Sequence, residues 1–410
     1  MTPSNFIQRG AQTSLILVFF AFPMSVALAN VALLFTLVFW LLGCVWGNSL
    51  RDARQALSSP VAAPALALFA WIAAAALWSP ADGSLVGAAL QKYLKFLLIP
   101  VFIGLLLDQA TRRRCWQAFA VAMLFTLAVT WLNIWFDFSW TRTQNQGIGR
   151  DHTVFKDYIS QGIMMSFFAC LAAFHALRSR TWVNSSIWWC VSAMAAFSIL
   201  FLSSGRTGYL AWCLSMLVFS LLVSMSRSRT ALVTAVVGMV VAIVVASTSP
   251  ALQTRVVQAW NEADSTNGQV TSVGSRMEML GFTLGQARER PLLGHGTAAY
   301  PKLATAHFTD PAWCSVVCVH PHNQFAFFLF EQGLVGLGLF AWFLLAIVRQ
   351  GWREEAQSRA LILAFLTIMI VSNMTHSSFW LSTENHFFVL MTALLMAASL
   401  SKAQRLSAPR

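Results

Sequence analysis

Long apolar runs recur from one end of this chain to the other, and this constrains the fold more than any other feature of the sequence. A hydrocarbon core about 30 Å thick takes roughly 20 mostly apolar helical residues to cross. Every backbone N–H and C=O inside it must find a partner within the protein. The runs are too long and too continuous for barrel strands, which alternate over short segments. Helical spans are therefore predicted at about 12–29, 31–47, 61–78, 92–107, 115–136, 158–177, 185–203, 207–225, 231–247, 324–348, 359–377 and 383–400, about twelve in all. The first run lacks an obvious small-residue cleavage site and is followed at once by others, so it reads as a real helix rather than a signal peptide. With 57% hydrophobic and 10% charged residues, the chain reads as an all-α polytopic membrane protein.

Basic residues in short loops set the orientation, because Lys and Arg are retained on the cytoplasmic side. With a cytoplasmic N-terminus, Arg51, Arg54, Arg112, Arg113, Arg114, Arg178, Arg180, Arg227, Arg229, Arg349, Arg353 and Arg359 share one side with Lys402, Arg405 and Arg410. Both termini then lie in the cytoplasm. The net charge of +12 is mainly this topology signal. Scattered over short loops, it builds no aromatic-lined groove and does not indicate nucleic-acid binding. The expected organisation is membrane helices over 1–247, one large periplasmic loop with short helices over 248–323, and the last membrane helices with a cytoplasmic tail over 324–410. Within the loop, Arg276 to Ala287 reads as an amphipathic helix with Met277, Leu280, Phe282 and Leu284 as its apolar residues, ended by Pro291-Leu292-Leu293-Gly294-His295-Gly296. No internal repeat, nucleotide fingerprint or phosphate-binding glycine loop is present.

The loop joins the next apolar run through His322-Asn323, with Gly333-Leu334-Val335-Gly336 following inside the run. A titratable imidazole thus stands at a water–membrane boundary, where the head group of a lipid-anchored substrate would emerge. Asn323 suits the N-cap of the helix that follows. Arg206, in Ser203-Ser204-Gly205-Arg206-Thr207-Gly208, occupies a minimal turn on the side where arginine is disfavoured. Such a residue either snorkels from a helix end or faces a polar interior, where its fork matches phosphate oxygens. Arg276 is either a solvated charge or a second phosphate ligand.

The His-Asn pair, the nine-residue spacing to Gly-x-x-Gly and the two arginines on the loop side resemble the O-antigen ligase and polymerase family of bacterial membrane glycosyltransferases. The resemblance implies a GT-C-like enzyme of the bacterial inner membrane with its active site at the periplasmic face. It also implies transfer of a glycan from an undecaprenyl diphosphate-linked donor to a lipid A-core acceptor among membrane lipids. His322 would be the catalytic base, Arg206 and Arg276 would bind the diphosphate, and neither cofactor nor metal would be needed. An inverting single displacement is expected. The chain lacks the larger C-terminal periplasmic region of protein-glycosylating relatives, which favours the ligase. Polymerase, protein O-glycosylating enzyme and lipid-linked glycan transporter are the alternatives.

Lys92 and Lys95, one turn apart, are a second basic pair suited to the diphosphate or to snorkelling at the interface. Glu331 falls within an apolar run and needs a partner; a structural pair with an arginine is expected, with a catalytic carboxylate as the alternative. Cys314 and Cys318 suit a disulfide in an oxidising compartment, on irregular backbone, or a weaker zinc set with His320 and His322. His376, Glu384 and His386 read as core or interfacial residues. Trp140, Trp260, Trp313 and Trp380 read as interface anchors.

Overall fold

The computed structural model describes residues 3–225, 253–254, 257 and 270–407. Sixteen helices are labelled here in chain order: α1 Pro3–Ala21, α2 Val26–Trp46, α3 Ser49–Ala56, α4 Ala62–Ala75, α5 Gly83–Leu97, α6 Ile99–Leu105, α7 Gln109–Leu132, α8 Tyr158–Arg178, α9 Trp182–Phe201, α10 Arg206–Met225, α11 Ser272–Ala287, α12 Ala299–His307, α13 Pro311–Val317, α14 Gln324–Trp352, α15 Ala356–Thr375 and α16 Ser382–Ser407. Among the described residues nine stretches are long and apolar enough to cross a membrane: α2, α5 with α6, α7, α8, α9, α10, α14, α15 and the first part of α16. The described residues are all-helical in their regular structure, and the chain is a multi-pass membrane protein. The three other expected spans fall on α1, on the shorter segment Ala62–Trp78, and on 231–247, which lies outside the described residues. The first predicted boundary is wrong. The range 12–29 straddles a turn at Phe22–Ser25, where Pro23 cannot donate to a continuing helix and the Ser25 hydroxyl accepts from Leu28 N–H to start α2.

α8 and α16 are the most enclosed spans. α8 approaches α10 at backbone distance: a Cβ on Gly162 would lie 3.1 Å from the Gly208 Cα, and one on Gly208 would lie 3.2 Å from the Gly162 Cα. Small residues allow this closeness, which packing within a bilayer exploits. Gly205 has the same kind of role, since its Cβ would meet the Tyr158 carbonyl oxygen at 2.8 Å. The glycines flanking Arg206 therefore serve helix packing. Phe22, Phe119, Phe167, Phe365 and Phe387 interlock between the turn after α1 and helices α7, α8, α15 and α16.

α14 is broken at Gly333 (φ 66°, ψ −169°). The Pro291–Gly296 segment fills the break. His295 N–H donates to Phe330 O and Gly296 N–H to Glu331 O, each at 2.9 Å, while Leu334 N–H donates to Pro291 O at 2.8 Å. Trp71 Nε1–H takes the Gln332 carbonyl at 2.9 Å. Backbone groups freed by the break are thus satisfied inside the protein, as burial demands. The close approach requires glycine on both sides: a Cβ on Gly333 would sit 2.2 Å from Leu292 O, and one on Gly294 would sit 2.5 Å from the Glu331 carbonyl. Gly333→Ala is expected to lower the melting temperature sharply in detergent, through about 1–3 kcal/mol of left-handed strain and displacement of the inserted segment. Gly338→Ala, with nothing within 4 Å of its Cβ, is the matched control and should be neutral or stabilising; equal melting of the two variants would reject the inserted-segment account.

Candidate functional site

Five helix starts, the end of α15 and two short connections meet at the end of the bundle away from Arg112, Arg178 and Arg353. α8 begins there, and its 21 residues put about 30 Å between this end and Arg178. α10 begins there with Arg206, α11 with Arg276 in its first turns, α14 after His322 and Asn323, and α16 with Glu384 in its first turn.

The arginines are brought together. Arg206 and Arg276 line one cavity of about 170 Å³ with Tyr158, Ile159, Ser204, Thr207 and Ser272. Both arginines are half-buried. Thr207 Oγ1 donates to Thr375 Oγ1 at 3.1 Å, fixing the start of α10 to the end of α15. α11 starts earlier than predicted; of its expected apolar residues Met277, Leu280 and Leu284 are exposed and Phe282 packs against Tyr300 and Phe330, while Ser275, Met279, Thr283 and Ala287 are buried. That buried set recurs every four residues, which places it on one face.

His322 sits in the connection before α14 with φ 50°, a left-handed conformation uncommon outside glycine. Its N–H donates to His320 Nδ1 at 3.3 Å. Asn323 caps α14 as expected, accepting from Ala326 N–H at 3.0 Å. Its amide also donates to Met374 O at 3.1 Å, tying the histidine connection to the end of α15. His376 follows that end, and the His322 and His376 rings stack at 5.1 Å. The His320 ring lies 4.3 Å from His322 and 5.6 Å from His376. Burial pushes the His320 imidazole down to about 2, with His322, His376 and Lys92 adding to it. Burial likewise pushes His322 down to about 3, helped by His376 and Arg276. Both rings are neutral at physiological pH, and Arg276 is close enough to act on His322.

His376 and Glu384, read from sequence as core or interfacial, belong to this site. His376 Nδ1 lies 3.3 Å from Glu384 Oε1, and that oxygen accepts from Ser160 Oγ at 2.9 Å. Glu384 is 1% exposed. A polar pair at a helix start was visible in the sequence, but nothing in its spacing connected it with His322.

Lys92 lies with its Nζ 3.6 Å from the Trp380 ring centroid, a cation–π contact. Trp380 is thus an interior residue rather than an interface anchor. Asn385 Nδ2 donates to the Lys92 carbonyl at 2.8 Å and to Phe379 O at 2.7 Å, and Gln324 bridges Tyr93 Oη and Phe379 N–H. This network docks α5 on the histidine connection. Lys95, one turn on, is within electrostatic reach of His386; the structure does not bring it to His322. Glu331 does not pair with an arginine. Its Oε1 accepts from Tyr300 N–H at 3.2 Å and its carboxylate from Ala298 N–H, so it caps α12, where unsatisfied amides favour an anion.

Cys314 and Cys318 are bonded to each other, with Cα atoms 4.8 Å apart. This removes the cysteine-containing zinc set. The expected irregular backbone is absent: Cys318 N–H donates to Cys314 O at 3.1 Å, a helical turn. The pair spans the end of the seven-residue α13, where no further turn restrains Cys318. The metal-competent group among the described residues is instead His320, His322 and His376, whose ligand atoms all lie within 4.8 Å of one another.

Helices and site together define a polytopic membrane protein with a basic, histidine-containing site where its helices end. Within that class, the chain carries the O-antigen ligase family domain, matched over residues 191–341. The matched stretch contains Arg206, Arg276, His322, Gly333 and Gly336; Lys92, His376 and Glu384 lie outside it. No curated protein matches the chain. Family members are membrane enzymes of the glycosyltransferase or ligase type, and the domain supports a related function in O-antigen or lipopolysaccharide assembly.

Proposed function

We propose that this protein is an O-antigen ligase of the inner membrane, with both termini cytoplasmic and its site at the periplasmic face. It transfers a glycan from undecaprenyl diphosphate to a hydroxyl of a lipid A-core sugar. The observation that carries this reading is the meeting of Arg206 and Arg276 in one cavity, with Arg276 within electrostatic reach of His322. The polyprenyl chain stays in hydrocarbon while its diphosphate lies between the two guanidinium forks, which match phosphate oxygens in pairs. A tautomer with hydrogen on Nδ1 leaves His322 Nε2 to take the acceptor hydroxyl's proton. The oxygen attacks the anomeric carbon, the bond to the diphosphate breaks, and its electron pair leaves on an oxygen held by permanent cations. Lys92 adds positive charge at the edge; Lys95 has the more distant part. Attack opposite the leaving group inverts the anomeric centre. The GT-C-like arrangement and the division into 1–247, 248–323 and 324–410 are part of the same reading.

Purified protein, given lipid-linked glycan and lipid A-core without nucleotide or added metal, should produce glycosylated lipid A-core. Glycan elongation on the lipid carrier instead of transfer to lipid A-core would identify a polymerase. Arg276→Ala is expected to weaken donor binding or single-turnover transfer by about ten- to a hundredfold, since a charge-assisted contact is worth about 1.5–3 kcal/mol. Unchanged values of both in the same nanodisc preparation would place Arg276 outside the site.

A further inference from the structure

We propose that His320, His322 and His376 form a reversible binding site for a divalent transition-metal ion, with Zn2+ as its probe, and that occupation switches off His322 as a base. The first half stands on geometry alone. The second rests on the proposed role of His322.

Two connections distant in sequence bring three imidazole donors within 4.8 Å of one another. His320 and His376 are buried, which limits competition from bulk water. The remaining nitrogens are positioned as they are in metal sites. His376 Nδ1 faces Glu384, the carboxylate–imidazole pairing that fixes a ligand's tautomer and orientation. His320 Nδ1 is taken by the His322 N–H. The Nε2 atoms of these two rings are thereby left as donors. His322 Nδ1 is buried with no hydrogen-bond partner, and it supplies the third.

Three neutral nitrogen donors select Zn2+, Ni2+ or Cu2+ over Mg2+ or Ca2+, which prefer oxygen ligands. Three protein ligands leave one position of a tetrahedral ion open. Lys92 and Arg276 exert positive charge on His320 and His322, while Glu384 is the adjacent carboxylate. That balance opposes tight retention of a dication and suits reversible occupation. An imidazole that holds a metal through one nitrogen carries its hydrogen on the other. With the metal on Nδ1, His322 has Nε2–H and no lone pair for the acceptor's proton.

Chelator-treated protein in detergent should bind one Zn2+ per chain by calorimetry and no Mg2+. His320→Gln and His376→Gln should each weaken binding at least tenfold, and Glu384→Gln about tenfold to a hundredfold, with melting curves confirming that each variant is folded. Because a variant can fail to fold, Co2+ added to the native sequence provides a second reading through the visible ligand-field band of a tetrahedral nitrogen site. Absence of both the band and one-to-one Zn2+ binding overturns the site, as does binding that survives both histidine replacements in folded protein. Zn2+ should suppress glycan transfer and a chelator should restore it; transfer unaffected at saturating Zn2+ overturns the switch. A fully active His322→Asn protein would instead reject the base assignment, with metal stoichiometry still decided by calorimetry.

Discussion

Transfer by a His322→Ala protein is expected to fall by about two to four decades, the usual contribution of a positioned proton acceptor, with insertion and folding retained. The backbone needs separate attention because His322 is held at φ 50°. Asparagine tolerates that conformation and cannot act as a base. His322→Asn therefore separates loss of proton acceptance from a change in backbone strain, and it should be as inactive as the alanine variant. Near-normal turnover in either folded variant would reject the general-base role. The pH profile gives a second reading. Burial, His376 and Arg276 push His322 down to about 3 in the free site, so acid should spare the free enzyme more than an exposed histidine would allow. An anionic diphosphate against Arg276 offsets one of those causes and raises the imidazole. The acid limb of kcat should thus lie at higher pH than that of kcat/KM for the donor, since these report the bound and free enzyme respectively. Coincident limbs would remove the coupling between Arg276 and His322.

Arg206→Ala is expected to reduce turnover by about two to three decades, the scale seen when one donor to a developing anion is removed. Arg206→Lys should recover little of it. An ammonium keeps the charge but cannot present two parallel N–H donors to phosphate oxygens. The site also limits how far a substitute can move: Thr207 is hydrogen-bonded to Thr375, and Gly208 lies against Gly162, so the start of α10 has little freedom to shift. Full activity of the lysine variant would reduce Arg206 to a generic charge. Single-turnover measurements at saturating donor distinguish the two, because a lost phosphate contact in the transition state persists when binding is saturated.

Some of the site was legible because its determinants are local. Asn323 precedes an apolar run and caps it, and Gly333 and Gly336 stand at a readable spacing from His322. Arg206 and Arg276 stood out by lying on the disfavoured side, and a shared cavity joins them. Other residues misled for an equally physical reason. Glu331 looked like half of an ion pair because sequence shows a charge in an apolar run but does not show backbone amides arriving from elsewhere; Ala298 and Tyr300 supply them. The apolar residues of α11 were recognisable, whereas the face turned to the protein was not, because a membrane-facing side can be as apolar as an inward one.

The sequence by itself determined that this is a multi-pass helical membrane protein, since hydrocarbon thickness imposes a run length that nine of the described stretches meet without reference to one another. It also marked His322, because the imidazole and its cap are set by the few residues at one helix start. Only the tertiary structure decided that His376 and Glu384 stand beside His322, that Pro291–Gly296 fills the break at Gly333, and that Lys92 reaches the site while Lys95 lies one turn away. Those relations depend on how α5, α14, α15 and α16 pack, and contacts between distant segments carry no local periodicity from which to read them.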